Sequence, residues 1–181
     1  MNITKIYCVF LFSMLLTGCS VRPWQTINFI SYPIEKLSEI ENFDDIETDC
    51  KIDNVFFYFV SNGIEDSMYV SKSPYSLNLV FESFEKRDLI INSMQLDFDG
   101  KRINLNEDLF PVNLTIDFPN YINSKLYSGS YKTDYLYRLE KVKKIKVSIN
   151  VTIKNNGKSV TKDIEAIAEK KVKKGIFQYR F

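Results

Sequence analysis

Val147-Ser148-Ile149-Asn150-Val151-Thr152-Ile153 alternates apolar and polar side chains without a break. Successive side chains of a β-strand point to opposite faces, so the pattern predicts a strand with one face in a core and one in water. Asn155-Asn156-Gly157 turns the chain, and Val160, Ile164, Ala166 and Ala168 continue at even positions. The same period recurs on either side. Val112, Leu114, Ile116 and Phe118 alternate with Asn113, Thr115 and Asp117, and Leu77, Leu79 and Phe81 do so around Asn78, with Val80 the exception. Phe177, Tyr179 and Phe181 alternate with Gln178 and Arg180, which predicts a last strand tied into the sheet.

Other segments fill in the pattern. Residues 54–60 contain Phe56-Phe57-Tyr58-Phe59, an apolar run suited to a strand buried on both faces and closed by Ser61-Asn62-Gly63. Leu89 to Phe98 and Lys101 to Leu105 flank Asp99-Gly100. Asp-Gly between two such runs predicts a hairpin, because a type I′ turn needs positive φ at both central positions. Tyr131 to Leu139 is Tyr-rich and of β character. Ile34, Leu37, Ile40 and Phe43 recur every three residues, which predicts a short N-terminal helix or 3₁₀ segment. About eight to ten strands at short spacing, without helix-period segments between them, predict a mainly β fold. The expected architecture is an antiparallel β-sandwich of Ig-like type, with a closed β-barrel as the alternative.

The chain has 181 residues with 24 Lys plus Arg, 23 Asp plus Glu and no histidine. The near-zero net charge gives no overall basic excess, so nucleic acid is not an expected partner. The lack of histidine excludes His-based triads and His metal sites. No GxSxG, Ser-x-x-Lys, P-loop, GxGxxG or HExxH occurs, so neither a cofactor nor a metal is expected. Residues 39–53 hold seven acids against Lys51, but with no Gly and no EF-hand spacing they read as a solvated acidic loop. Tyr127, Tyr131, Tyr135 and Tyr137 fit cross-strand packing, or else a sugar-stacking platform.

Ile6 to Leu16 is an apolar run broken only by Ser13 and preceded by Lys5. About eleven residues are too short to span a bilayer, which takes about twenty, and suit the h-region of a signal peptide. Leu16-Thr17-Gly18-Cys19 follows directly and resembles the lipobox of bacterial lipoproteins. That resemblance covers only the leader. It implies cleavage before Cys19 by signal peptidase II, acylation of the Cys19 thiol and amine, and attachment to a membrane without a spanning helix. In a cell with two membranes, Ser20 in place of Asp implies the outer membrane, facing the periplasm. The expected organisation is a signal peptide at 1–18, a lipid-anchored tether and first strand at 19–30, and one β-sandwich domain at 31–181. In the mature chain Cys50 has no cysteine left to pair with internally, and it reads as an inert, partly buried thiol.

Charge is segregated along the chain. Residues 33–118 carry 7 positive and 18 negative side chains, and residues 132–181 carry 14 positive and 5 negative. Either acidic and basic strands lie side by side, or the molecule has a basic face. Lys141, Lys143, Lys144 and Lys146 read as one strand, with Lys170, Lys171, Lys173 and Lys174 in another hairpin arm; the candidate binding face is the seven residues Lys141, Lys143, Lys144, Lys170, Lys171, Lys173 and Lys174. The expected function is that of a non-enzymatic, lipid-anchored envelope protein with a protein partner. It would be an accessory subunit of an envelope complex or an immunity protein against a periplasmic toxin. The alternatives are a lipid or glycan carrier and a carboxylate-dependent envelope enzyme.

Overall fold

The computed structural model describes residues 19–43, 50–65, 71–103, 105, 109–133, 137–155 and 157–180. The expected signal peptide at 1–18, four of the seven acids of the 39–53 stretch (Asp44, Asp45, Glu47 and Asp49), Tyr135 and Phe181 lie outside them. The strands are β1 (Cys19–Phe29), β2 (Lys51–Ile52), β3 (Val55–Glu65), β4 (Ser71–Ser83), β5 (Arg87–Phe98), β6 (Lys101–Ile103), β7 (Val112–Ile116), β8 (Phe118–Pro119), β9 (Tyr127–Lys132), β10 (Lys144–Asn155) and β11 (Lys158–Arg180). A 3₁₀ helix spans Ile34–Glu39.

Every strand pairing is antiparallel. One sheet runs β1-β11-β10-β5-β6, with β7 also on β5, and the other runs β2-β3-β4-β9-β8. The two face each other as a sandwich and do not close into a barrel. The alternation in 147–153 decides this. Ile145, Val147, Ile149, Val151 and Ile153 are buried between the sheets, opposite Leu77, Leu79, Phe57, Phe59 and Phe81. Phe57 and Phe81 are cross-strand partners stacked with ring centroids 5.3 Å apart.

The run Phe56-Phe57-Tyr58-Phe59 is buried on both faces, as its composition predicts. Phe57 and Phe59 enter the main core. Phe56 and Tyr58 point the other way, into a second small core with Leu37, Ile40, Phe43 and Leu126. The period-three residues of the 3₁₀ segment are the lid of that core, which explains why a strand on the outer side of a sandwich stays apolar.

β5 changes its inward parity midway, from Leu89 and Ile91 to Met94 and Leu96. A bulge does this. Ile91 pairs with Val151 and Ser93 with Asn150, so Asn92 is the extra residue. Its carboxamide donates to Asn150 Oδ1 and Thr152 Oγ1, each at 2.8 Å. Asp99 (φ 55°) and Gly100 (φ 85°) form the expected hairpin turn.

Four segment boundaries differ from expectation. Ser61-Asn62-Gly63 does not end β3, which absorbs a register shift at Gly63/Ile64 and continues to Glu65. Asp53 and Asn54, both at positive φ, turn β2 into β3 inside what reads as an acidic loop. Among the described residues of the Tyr-rich segment, Tyr131 and Lys132 belong to a strand and Tyr137 makes a single bridge to Tyr75. Residues 158–180 are one continuous strand, because β11 pairs first with β10 and then, from Lys170 onward, with β1.

Candidate functional site

The structure partly dissolves the charge segregation. β5 and β10 are neighbours, and their register sets Lys146 beside Asp97 and Lys154 beside Asp88. Lys146 Nζ also lies 2.7 Å from Glu165 Oε1. The bonds from Lys146 and then Ser148 hold the Glu165 carboxyl below its ordinary pKa. Asp99 accepts the backbone N–H groups of Lys143 and Lys144 at 2.8–3.0 Å, fixing the entry to β10 on the hairpin turn.

Lys141 and Lys143 are not in the strand with Lys144 and Lys146; they belong to the turn that precedes it. Lys170 lies beside that turn, since its N–H donates to the Lys143 carbonyl at 2.7 Å and its Nζ donates to the Glu140 carbonyl. Lys171, Lys173 and Lys174 follow on β11 opposite Asn28, Thr26 and Gln25. The pleat splits the group between two faces. Lys144, Lys171 and Lys173 share the face of Glu165 and Ile167, whereas Lys143, Lys170 and Lys174 share the opposite one. All seven except Lys170 are exposed. Among the described residues no ion pair involves Lys141, Lys143, Lys144, Lys171, Lys173 or Lys174. The seven therefore gather at one end of the sandwich, around the edge of β11, rather than on one flat face.

Cys19 begins β1 opposite Arg180, at the end of the β1–β11 ladder away from Phe29 and Lys170. Cys50 is half-buried and its thiol donates to the Glu165 carbonyl on the open edge of β11.

A second site was invisible in the sequence. Glu82, on β4, is 1% exposed. Its Oε1 accepts bonds from Asn120 Nδ2 at 2.9 Å and Tyr58 OH at 3.2 Å, and its Oε2 accepts one from Ser128 Oγ at 2.6 Å. Burial raises its pKa in spite of these donors, and burial with the adjacent carboxylate raises that of Tyr58. Glu82 lines the floor of an open groove of roughly 770 Å³ on the outer face of β3, β4 and β9, whose lining includes Asn62, Asn78 and Asn113. Phe118 and Tyr121, 71% and 94% exposed, also line it. No pattern marks Glu82, because an acid on the outward face of a strand normally meets water. Here the loop from 117 to 126 covers it.

Tyr127, Tyr131 and Tyr137 pack against the main core, with Tyr131 6.2 Å from Phe110 and Tyr137 5.4 Å from Phe98 by ring centroids. They form no platform. Among the described residues no helix is long and apolar enough to cross a membrane, and no group of three or more His, Cys, Asp or Glu is placed to hold a metal ion. The chain matches no protein-family model, no curated protein and no solved structure.

Proposed function

We propose that this chain is a lipid-anchored, non-enzymatic protein-binding module of the cell envelope, held at Cys19 to the outer membrane and facing the periplasm. Its role is that of an accessory subunit of an envelope complex or of an immunity protein that neutralises a toxin there. The observation that carries this reading is the end of the sandwich where exposed lysines have no ion-pair partner among the described residues. Charge left uncompensated within a domain steers an acidic partner.

The place of the anchor supports it. Ten residue steps separate Cys19 from Phe29 along β1, about 33 Å at the usual strand rise. With that ladder upright, the lysines around Lys170 stand several Debye lengths from the acyl chains, each about 8–10 Å. The membrane's own headgroups do not then neutralise them. Capture from solubilised envelopes tests the reading, comparing the processed chain with Lys143→Glu/Lys144→Glu/Lys171→Glu/Lys173→Glu. A stoichiometric acidic protein held by the first and lost by the second is expected. Equal capture by both would sink the lysine end as the binding surface.

The groove beside Glu82 favours a second reading, a glycan-binding envelope protein, because exposed rings above amide side chains suit sugar faces and hydroxyls. Titration with peptidoglycan-derived oligosaccharides should then show saturable binding that Tyr121→Ala weakens, and no binding by the unaltered chain removes this reading.

A further inference from the structure

β10 enters its ladder at Lys144, while β11 runs on beyond Lys170 for another turnless stretch to Arg180. The two strands therefore part company at one point. The Lys170 N–H still reaches the Lys143 carbonyl. In an antiparallel ladder the N–H and C=O of one residue point to the same side, and the next residue's point to the other. Even-numbered residues of β11 thus direct their backbone groups toward β10. Odd-numbered ones direct theirs to the opposite edge, where the Glu165 carbonyl meets Cys50 and where β1 lies.

Beyond Lys170 this has a consequence. The backbone of Val172 and Lys174 points into the lane that β10 has vacated, and among the described strands only β1, on the other side, pairs with this part of β11. An open edge of this kind is a template for another strand. What stands along it is basic: Lys171, Lys173 and Lys174 are exposed and without ion pairs among the described residues, and Lys143 and Lys144 close the near end. Lysines on an edge repel a second copy of the same edge and discourage a neutral, aggregating strand, while they attract an acidic one.

We infer that an extended acidic segment of the partner protein adds to β11 as a strand, in the lane beyond Lys143, with its backbone on Val172 and Lys174 and its carboxylates on Lys171 and Lys173. This rests on the proposed protein-binding role and names the manner and chemistry of the contact. Main-chain pairing supplies the affinity and the alternating lysines supply the selection.

Two peptides of equal charge test it against the whole processed chain in detergent micelles. One, acetyl-(Glu-Val)4-amide, can donate and accept along its length. The other, acetyl-(Glu-Pro)4-amide, lacks N–H groups at every second position. The first should bind, should weaken at least tenfold between low salt and 0.3 M salt, and should slow amide exchange at Val172 and Lys174. The second should bind at least tenfold less well. Val172→Pro, which removes a lane-facing N–H and leaves the β1 ladder its donors, should match that loss with an unchanged thermal midpoint. Equal binding of both peptides overturns strand addition in favour of diffuse charge attraction. No binding of either peptide at millimolar concentration also overturns it. Neither result touches the lysine-dependent capture described above, which stands or falls on its own variant.

Discussion

Asn120 holds Glu82 with its amide nitrogen at 2.9 Å, and its amide oxygen accepts the backbone N–H groups of Ile122 and Asn123 at 2.7 and 3.0 Å. One side chain thereby ties a strand carboxyl to the loop that displays Tyr121. Asn123 extends the tie by donating to the Leu37 and Ile40 carbonyls at the end of the 3₁₀ helix. The loop is fixed by these two amides together with Leu126, buried in the second core.

Removing that tie leaves a buried carboxyl and two backbone donors short of partners. Asn120→Ala should cost about 2–4 kcal/mol, at the upper end for one hydrogen-bonded side chain because several groups lose satisfaction together. Urea unfolding followed by circular dichroism measures it. A loss under about 0.5 kcal/mol would show that the network is ornamental.

Glu82 makes stability depend on pH in a particular direction. Burial raises its pKa in the folded chain above the ordinary value near 4.5. As pH rises, the unfolded chain releases this proton first, so stability falls from about that pH until the folded carboxyl has ionised as well. Below that window the contribution is fully present. Glu82→Gln should flatten this part of the profile, since hydroxyls of Tyr58 and Ser128 can reorient toward an amide. Urea midpoints between pH 4 and pH 8 for both proteins decide it, and parallel profiles would mean that Glu82 does not titrate in that range.

Gly129, on β9, lies tight against the backbone of β7 in the other sheet. A Cβ there would lie 2.7 Å from the Thr115 carbonyl oxygen and 3.2 Å from Ile116 Cα. Both neighbours are backbone of β7, so neither yields by rotating a side chain. Gly129→Ala should destabilise by about 1–3 kcal/mol, the usual cost of overpacking. A thermal melt reads this directly, and an unchanged midpoint would place β7 farther from β9.

The lysines should behave in the opposite manner. Lys143→Glu, Lys144→Glu, Lys171→Glu and Lys173→Glu together should move the thermal midpoint little, since exposed charges contribute about 0–1 kcal/mol each. Partner association should slow several-fold, with the difference shrinking in high salt. A sharp fall in the midpoint with unchanged binding would instead make these residues counter-charges to the acidic strands.

Cys19→Ser should leave an unprocessed precursor that is not acylated. Membrane fractionation with acyl labelling checks this. A variant that is still cut before residue 19 and still sediments with membranes would refute the lipobox reading.

The fold was legible where one face of a strand is wet, because the pleat then writes itself into the sequence as period two. Residues 147–153 and 112–116 are of this kind. Phe56 to Phe59 betrayed its second buried face by having no polar positions at all. Boundaries were lost where backbone geometry does the work. The Asp53-Asn54 turn looks like acidic loop, and the parity change at Asn92 is legible only once a bulge is admitted. The lysines were found as a charge run, but their division between two faces depends on where β10 leaves β11. Glu82 and Asn120 are 38 residues apart, and nothing local marks either one.

The ladder between β1 and β11 also sets a timetable. Phe29 waits for Lys170 and Cys19 for Arg180, so the first strand to be synthesised finds its neighbour only after about 140–160 more residues have emerged. The strands between them can pair as they appear, β10 with β5 and with the first half of β11 among the last. A chain interrupted before residue 170 would keep most of its sandwich and leave β1 as an orphan edge. Loop closure over so long a span makes this ladder a slow one to form. Until it closes, β1 is an unpaired edge that another strand could take.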